Sequence, residues 1–150
     1  MTVRVGIIMG SKSDAVVMEK ANAILDELGI SYESVVSSAH RNPERTATWA
    51  RDAADRGLQV LIAGAGMSAA LPGVVAAHTI LPVVGVPIAS GALNGVDALY
   101  SIVQMPPGIP VATVGIDNAR NAALLAAAIL ALHDKDVQAA LTRYRQQWNQ

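Results

Sequence analysis

Val3-Arg4-Val5-Gly6-Ile7-Ile8-Met9-Gly10-Ser11-Lys12-Ser13-Asp14 begins as an apolar run, turns at a glycine, and continues with two hydroxyls and a carboxylate. A run this short and this apolar predicts a strand over residues 3–9 that is covered on both faces. Similar runs recur at 32–37, 60–63, 82–86 and 110–114. Helix-compatible stretches separate and follow them, at about 13–28, 43–56, 69–79, 95–103, 118–133 and 136–148. Gly29 and Gly57 stand where helices end, Pro43 where a first turn accepts proline, and Asp134-Lys135-Asp136 breaks the last two helices apart. Strand and helix in alternation predict an α/β fold: a five-stranded parallel sheet between helix layers, a three-layer αβα sandwich with an extra C-terminal helix. The 150 residues are expected to form one domain, 1–150.

Composition narrows the function. The chain carries 11 basic and 12 acidic residues for a net charge of -1, with the basic residues scattered, so neither nucleic acid nor a membrane surface is an expected partner. A small molecule is. There is no cysteine, which removes disulfides and thiolate metal sites and agrees with a reducing cytoplasm. Residues 1–9 run straight into a strand pattern without the segments of a secretory signal, so export is not expected. The longest apolar run, 122–132, is shorter than the roughly 20 residues of a membrane span. That alanine-rich segment is apolar nearly all round, and its uncovered surface predicts a homo-oligomer.

In an open parallel sheet, ligands bind beyond the carboxyl ends of the strands. Residues 10–14, 37–41, 64–71 and 87–93 all fall there, so four loops can build one pocket. Gly10 followed by Ser11, Ser13 and Asp14 at a helix start suits an anion, because free N–H groups and the helix dipole both favour negative charge. The spacing Ser11-x-x-Asp14 also fits a helix capping box, the preferred reading for those two residues taken alone. Ser38-Ala39-His40-Arg41 adds a guanidinium fork for phosphate oxygens and an imidazole, the side chain type that changes charge near neutral pH. His78 and His133 lie near helix ends and read as structural or exposed. The segment Gly64-Ala65-Gly66-Met67-Ser68-Ala69-Ala70-Leu71 is either a tight turn or a place where backbone approaches a planar ligand closely. No metal-ligand spacing, nucleophile elbow, Walker motif or dinucleotide fingerprint is present.

Taken in order, residues 9–14, 38–41, 63–73 and Ser101-Ile102-Val103-Gln104-Met105-Pro106 resemble the bacterial N5-carboxyaminoimidazole ribonucleotide mutases of purine biosynthesis. Gly85-Val86-Pro87, Leu93-Asn94-Gly95-Val96-Asp97 and residues 121–127 extend the match over essentially the whole chain. The resemblance implies a flavodoxin-like fold, an octamer with active sites near subunit contacts, and transfer of a carboxylate from the exocyclic nitrogen to ring carbon C4 without metal, biotin or ATP. It further implies that Ser11, Ser13, Ser38 and Arg41 hold the 5′-phosphate and Asp14 the ribose hydroxyls. Ala39 and the loop residues Gly64, Ala65, Gly66, Ser68 and Leu71 would bind substrate around the base and carboxylate, and His40 would move the proton. One departure stands out: the family usually reads Gly-Gly-Ala-Ala-His-Leu-Pro-Gly in the third loop, whereas this chain has Met67, Ser68 and Ala70 there. Loss of that histidine leaves two further readings open, a direct CO2-dependent carboxylase on the same fold and a nucleotide-binding module without catalysis.

Overall fold

All five residues of Val5–Met9 (β1) are buried, yet their side chains still divide by the strand's twofold period. Val5, Ile7 and Met9 enter one core and Ile8 the other. Val60–Gly66 (β3) and Val83–Ile88 (β4) divide in the same way, with Ile62, Val84 and Val86 on the first side and Leu61 and Ala63 on the second. The computed structural model describes residues 2–149; residues 1 and 150, the ends of the expected domain, lie outside the described residues.

Tyr32–Val36 (β2) and Ala112–Thr113 (β5) complete a sheet of order β2-β1-β3-β4-β5, parallel throughout. Ala15–Glu27 (α1) and Ala119–Ala131 (α5) cover the first face. Pro43–Arg51 (α2), Leu71–Ala77 (α3) and Val96–Val103 (α4) cover the second. Lys135–Arg145 (α6) is the extra C-terminal helix; it packs on α5 through Val137, Ala140 and Leu141. The chain steps from β1 outward to β2 and then returns past β1 to β3. The loops after β1 and β3 therefore part company, and a crevice opens at the carboxyl edge between them.

Several element bounds differ from the sequence reading, those of β3, β4, β5 and α2 for identifiable reasons. β3 continues through Gly64, Ala65 and Gly66, which pair with Val86, Pro87 and Ile88 of a longer β4. Glycine and alanine carry little strand preference of their own, so this extension exists only because β4 lies alongside. Pro87 is tolerated because its nitrogen faces the β5 side, where the ladder stops at Gly85 and Thr113. β5 itself is shorter than the expected 110–114. Finally, α2 stops at Arg51, after which turns carry the chain to Gly57 (φ 92°) and back into the sheet.

The alanine-rich α5 is also less exposed than its composition implies. Ala119, Ala122, Ala123, Ala126, Ala127 and Leu130 are buried beneath α1, the sheet and α6, leaving Leu125 and Leu132 outermost. Further exposed apolar residues, Val96, Tyr100 and Val103, lie on α4.

Candidate active site

Two helix starts aim the functional loops. At the end of β1, Ser11 Oγ accepts from the Ser13 N–H at 3.3 Å and Asp14 Oδ2 accepts from the Ser11 N–H at 3.1 Å, so the capping box does form around the 3-10 turn Lys12–Asp14. It does not use up the site's polar groups. The Ser11 and Ser13 hydroxyls lie 3.0 Å apart, and the second Asp14 oxygen stays free of the cap. At the end of β2, the Ser37 and Thr46 hydroxyls meet at 2.8 Å in a buried contact that ties the strand to α2. Asn42 caps α2 by accepting from the Arg45 N–H, and Ser38 Oγ accepts from the Arg41 N–H. Residues 38–42 are thereby held as a turn whose backbone needs are met locally. His40 and Arg41 project from it, exposed, and no carboxylate pairs with Arg41 among the described residues.

These loops surround a cavity of about 370 Å³ at the carboxyl edge of the sheet. The structure brings Ser11, Ser13, Asp14, Ser38, Ala39, His40, Arg41, Ala65, Gly66, Ser68 and Leu71 to its wall. Gly64 is the exception. It lies one residue too deep in β3, buried, where a Cβ would run into the Met18 sulfur. Gly10, Met67, Ala70 and Ser90 also line the cavity. Of these, Ser90 is the sole hydroxyl in the fourth loop, residues 87–93, which is the one signal in the sequence that points to it.

Electrostatically the cavity combines the Arg41 cation, the half-buried Asp14 carboxylate and the His40 imidazole among small neutral groups. Burial pushes the Asp14 carboxyl above the ordinary range, opposed by hydrogen bonds from the Ser11 and Gly10 backbone. Such a wall can grip a dianionic phosphate and sugar hydroxyls, and it places one proton carrier beside an apolar slot walled by Ala65, Gly66, Ala70 and Leu71. No cluster of three metal-ligating carboxylate or imidazole groups occurs among the described residues, and no helix there is long and apolar enough to cross a membrane.

Comparison with known proteins gives this geometry a context. Residues 4–150 match the model of the AIR carboxylase family. The chain belongs to the AIR carboxylase family. Within it, the N5-carboxyaminoimidazole ribonucleotide mutase of Pyrococcus abyssi is 59% identical over 95% of this chain and 82% of its own. A phosphoribosylaminoimidazole carboxylase of Schizosaccharomyces pombe is 56% identical over 93% of this chain, a match that occupies 25% of that longer protein. Among solved structures, Treponema denticola PurE superposes with a TM-score of 0.86 at 36% identity, covering 95% of this chain and 89% of its own. The fold is thus shared over nearly the whole of both chains.

Proposed function

We propose that this protein is an N5-carboxyaminoimidazole ribonucleotide mutase, which moves the carboxylate from the exocyclic nitrogen to C4 of the imidazole in purine biosynthesis. The observation that carries the reading is a relative of that name at 59% identity over nearly the whole chain. The cavity supports it chemically, since it combines a free guanidinium, clustered hydroxyls and a single imidazole.

In this reading Ser11, Ser13, Ser38 and Arg41 bind the 5′-phosphate, and Asp14 accepts from the ribose hydroxyls. Protonated His40 donates to the carbamate nitrogen, the N–C bond breaks, and CO2 is released next to the electron-rich C4. The C4 carbon then attacks CO2, and neutral His40 removes the C4 proton to restore the aromatic ring. One imidazole serves as acid and then as base, so the cycle closes without net proton change. Small apolar walls keep CO2 beside C4 and water away from it.

The working form is a homo-octamer in the cytoplasm. Val96, Tyr100 and Val103 form an exposed apolar row along α4, with Leu93 just before it, a surface that contact with another copy would cover.

Ala70 and the S. pombe carboxylase relative favour one alternative, direct carboxylation of aminoimidazole ribonucleotide. Product formation decides between them. Purified protein is assayed with fresh N5-carboxyaminoimidazole ribonucleotide at low CO2, and in parallel with aminoimidazole ribonucleotide plus graded bicarbonate and carbonic anhydrase. Rapid conversion of the first is expected. Conversion of the second alone, rising with CO2, would establish the carboxylase, and no product from either would leave a binding module.

A further inference from the structure

Ser90 is delivered to the cavity by an arrangement with several independent anchors. Directly before it, the Ala89 N–H donates to Asp117 Oδ1 at 2.8 Å, and the Asp117 N–H returns to the Pro87 carbonyl at 2.8 Å. Asp117 holds a left-handed backbone (φ 61°) to make both bonds. Directly after it, Gly91 turns with φ 69°, in a position where a Cβ would touch Met67. Below it, Gly66 makes the room: a Cβ there would lie 3.2 Å from Ser90 Cβ and 3.1 Å from the Ile88 carbonyl oxygen.

Ser68 and Ser90 are the polar side chains that the β3 and β4 loops contribute to the cavity wall; their neighbours are alanine, glycine, methionine and leucine. Both side chains are exposed and neither hydroxyl has a hydrogen-bond partner among the described residues, so both are open to a ligand, whereas the other serines of the wall bond within their own turns. The sheet order fixes where this pair sits. β2, carrying Arg41, and β4, carrying Ser90, are three ladders apart, or about 14 Å at the usual strand spacing. That is on the scale of a ribonucleotide measured from its phosphate to the far edge of its base.

We propose that Ser68 and Ser90 form a hydroxyl clamp for the migrating carboxylate, resting on the mutase reading above. A carboxylate is an acceptor alone, and two unengaged hydroxyls on an apolar wall are matched donors. Their neutrality suits the reaction. A cation at this position would stabilise the carbamate more than uncharged CO2 and so oppose its release, whereas hydroxyls hold the carboxylate and can rotate to follow it from nitrogen to carbon. The clamp makes the carboxylated nucleotide bind better than its decarboxylated parent.

Titration calorimetry with 4-carboxy-5-aminoimidazole ribonucleotide and with 5-aminoimidazole ribonucleotide tests this directly, in wild type, Ser68→Ala, Ser90→Ala and Ser90→Thr. Each alanine variant is expected to weaken the carboxylated nucleotide roughly tenfold while leaving the decarboxylated one unchanged, and Ser90→Thr should recover most of the loss. Equal weakening of both nucleotides would show a merely structural role and overturn the clamp, as would an unchanged ratio. If wild type converts N5-carboxyaminoimidazole ribonucleotide and the ratio still does not move, the clamp alone fails. If wild type neither converts it nor binds either nucleotide, the mutase reading fails and takes the clamp with it.

Discussion

His40 and Asp14 are the residues at which the proposed chemistry is most exposed to test. His40→Asn keeps a polar side chain of similar reach on a turn whose backbone bonds are made by its neighbours, so the fold and nucleotide affinity should persist. Turnover should fall by about 10²–10⁴-fold, the usual contribution of a general acid–base group; a variant with normal kcat would remove His40 from the mechanism. Asp14 makes a prediction about pH. Its carboxyl is raised by burial, so it ionises at lower pH in the unfolded chain than in the folded one. Ionised Asp14 therefore costs folding free energy at neutral pH, and the cost is relieved as pH falls through the raised folded value. Asp14→Asn keeps an oxygen for the Ser11 N–H and cannot titrate. The melting temperature of wild type relative to this variant should rise on acidification, and a fall would contradict the buried-carboxylate picture. The sequence made His40, Arg41 and the serine cluster visible because their chemistry is written in side chains. Ser90 stayed hidden because its placement depends on Asp117, 27 positions later, and on the missing side chain of Gly66.

Among the elements, strands β1, β3 and β4 owe their closeness to helices to particular small residues. A Cβ at Gly85 would overlap Ile102 Cγ2 from α4 and approach Val111 Cγ1 to 2.9 Å. Gly85→Ala should destabilise the fold by about 1–3 kcal/mol, the usual cost of overpacking, read as a lower urea midpoint. An unchanged midpoint would mean that α4 shifts freely. Asp134 joins two distant elements: Oδ1 accepts from the Asp136 and Val137 N–H groups at the start of α6, and Oδ2 lies 2.7 Å from Arg4 Nη1 just before β1. The Val137 N–H, then Arg4, pull its carboxyl below the ordinary range. Its stabilisation is present above the unfolded value and lost as pH falls through the lowered folded one. Asp134→Ala should therefore melt earlier than wild type at neutral pH, and the gap should close in acid. The order of elements was legible from apolar runs and caps, but the ends of β3, β4 and α2 were not. Glycine and alanine take whichever conformation their neighbours impose.

At the scale of the molecule, the sheet edge gathers four loops into one cavity while α4 leaves an apolar row outside. Val96, Tyr100 and Val103 recur at helical spacing and are 43%, 62% and 49% exposed. In the proposed octamer this row lies between copies. Tyr100→Asp combined with Val96→Asp should yield a smaller species by analytical ultracentrifugation while circular dichroism stays native. An unchanged sedimentation coefficient would place the contact elsewhere. The composition alone assigned this role to α5, because a lone helix's alanines look uncovered. The structure buries most of those alanines beneath α6 and α1, leaves Leu125 and Leu132 of that segment exposed, and adds the apolar row on α4.

The amino-acid sequence determined the layers, the parallel sheet and the chemical identity of the phosphate-side residues, all of which follow from local hydrophobic period, caps and side-chain type. Tertiary structure alone decided that Gly64 is buried while Gly66 borders the cavity, that Ser68 and Ser90 face one space, and that α4 keeps an apolar row exposed. Each of those depends on strand pairing or packing between segments far apart in the chain, and no local pattern encodes a neighbour that only folding brings near.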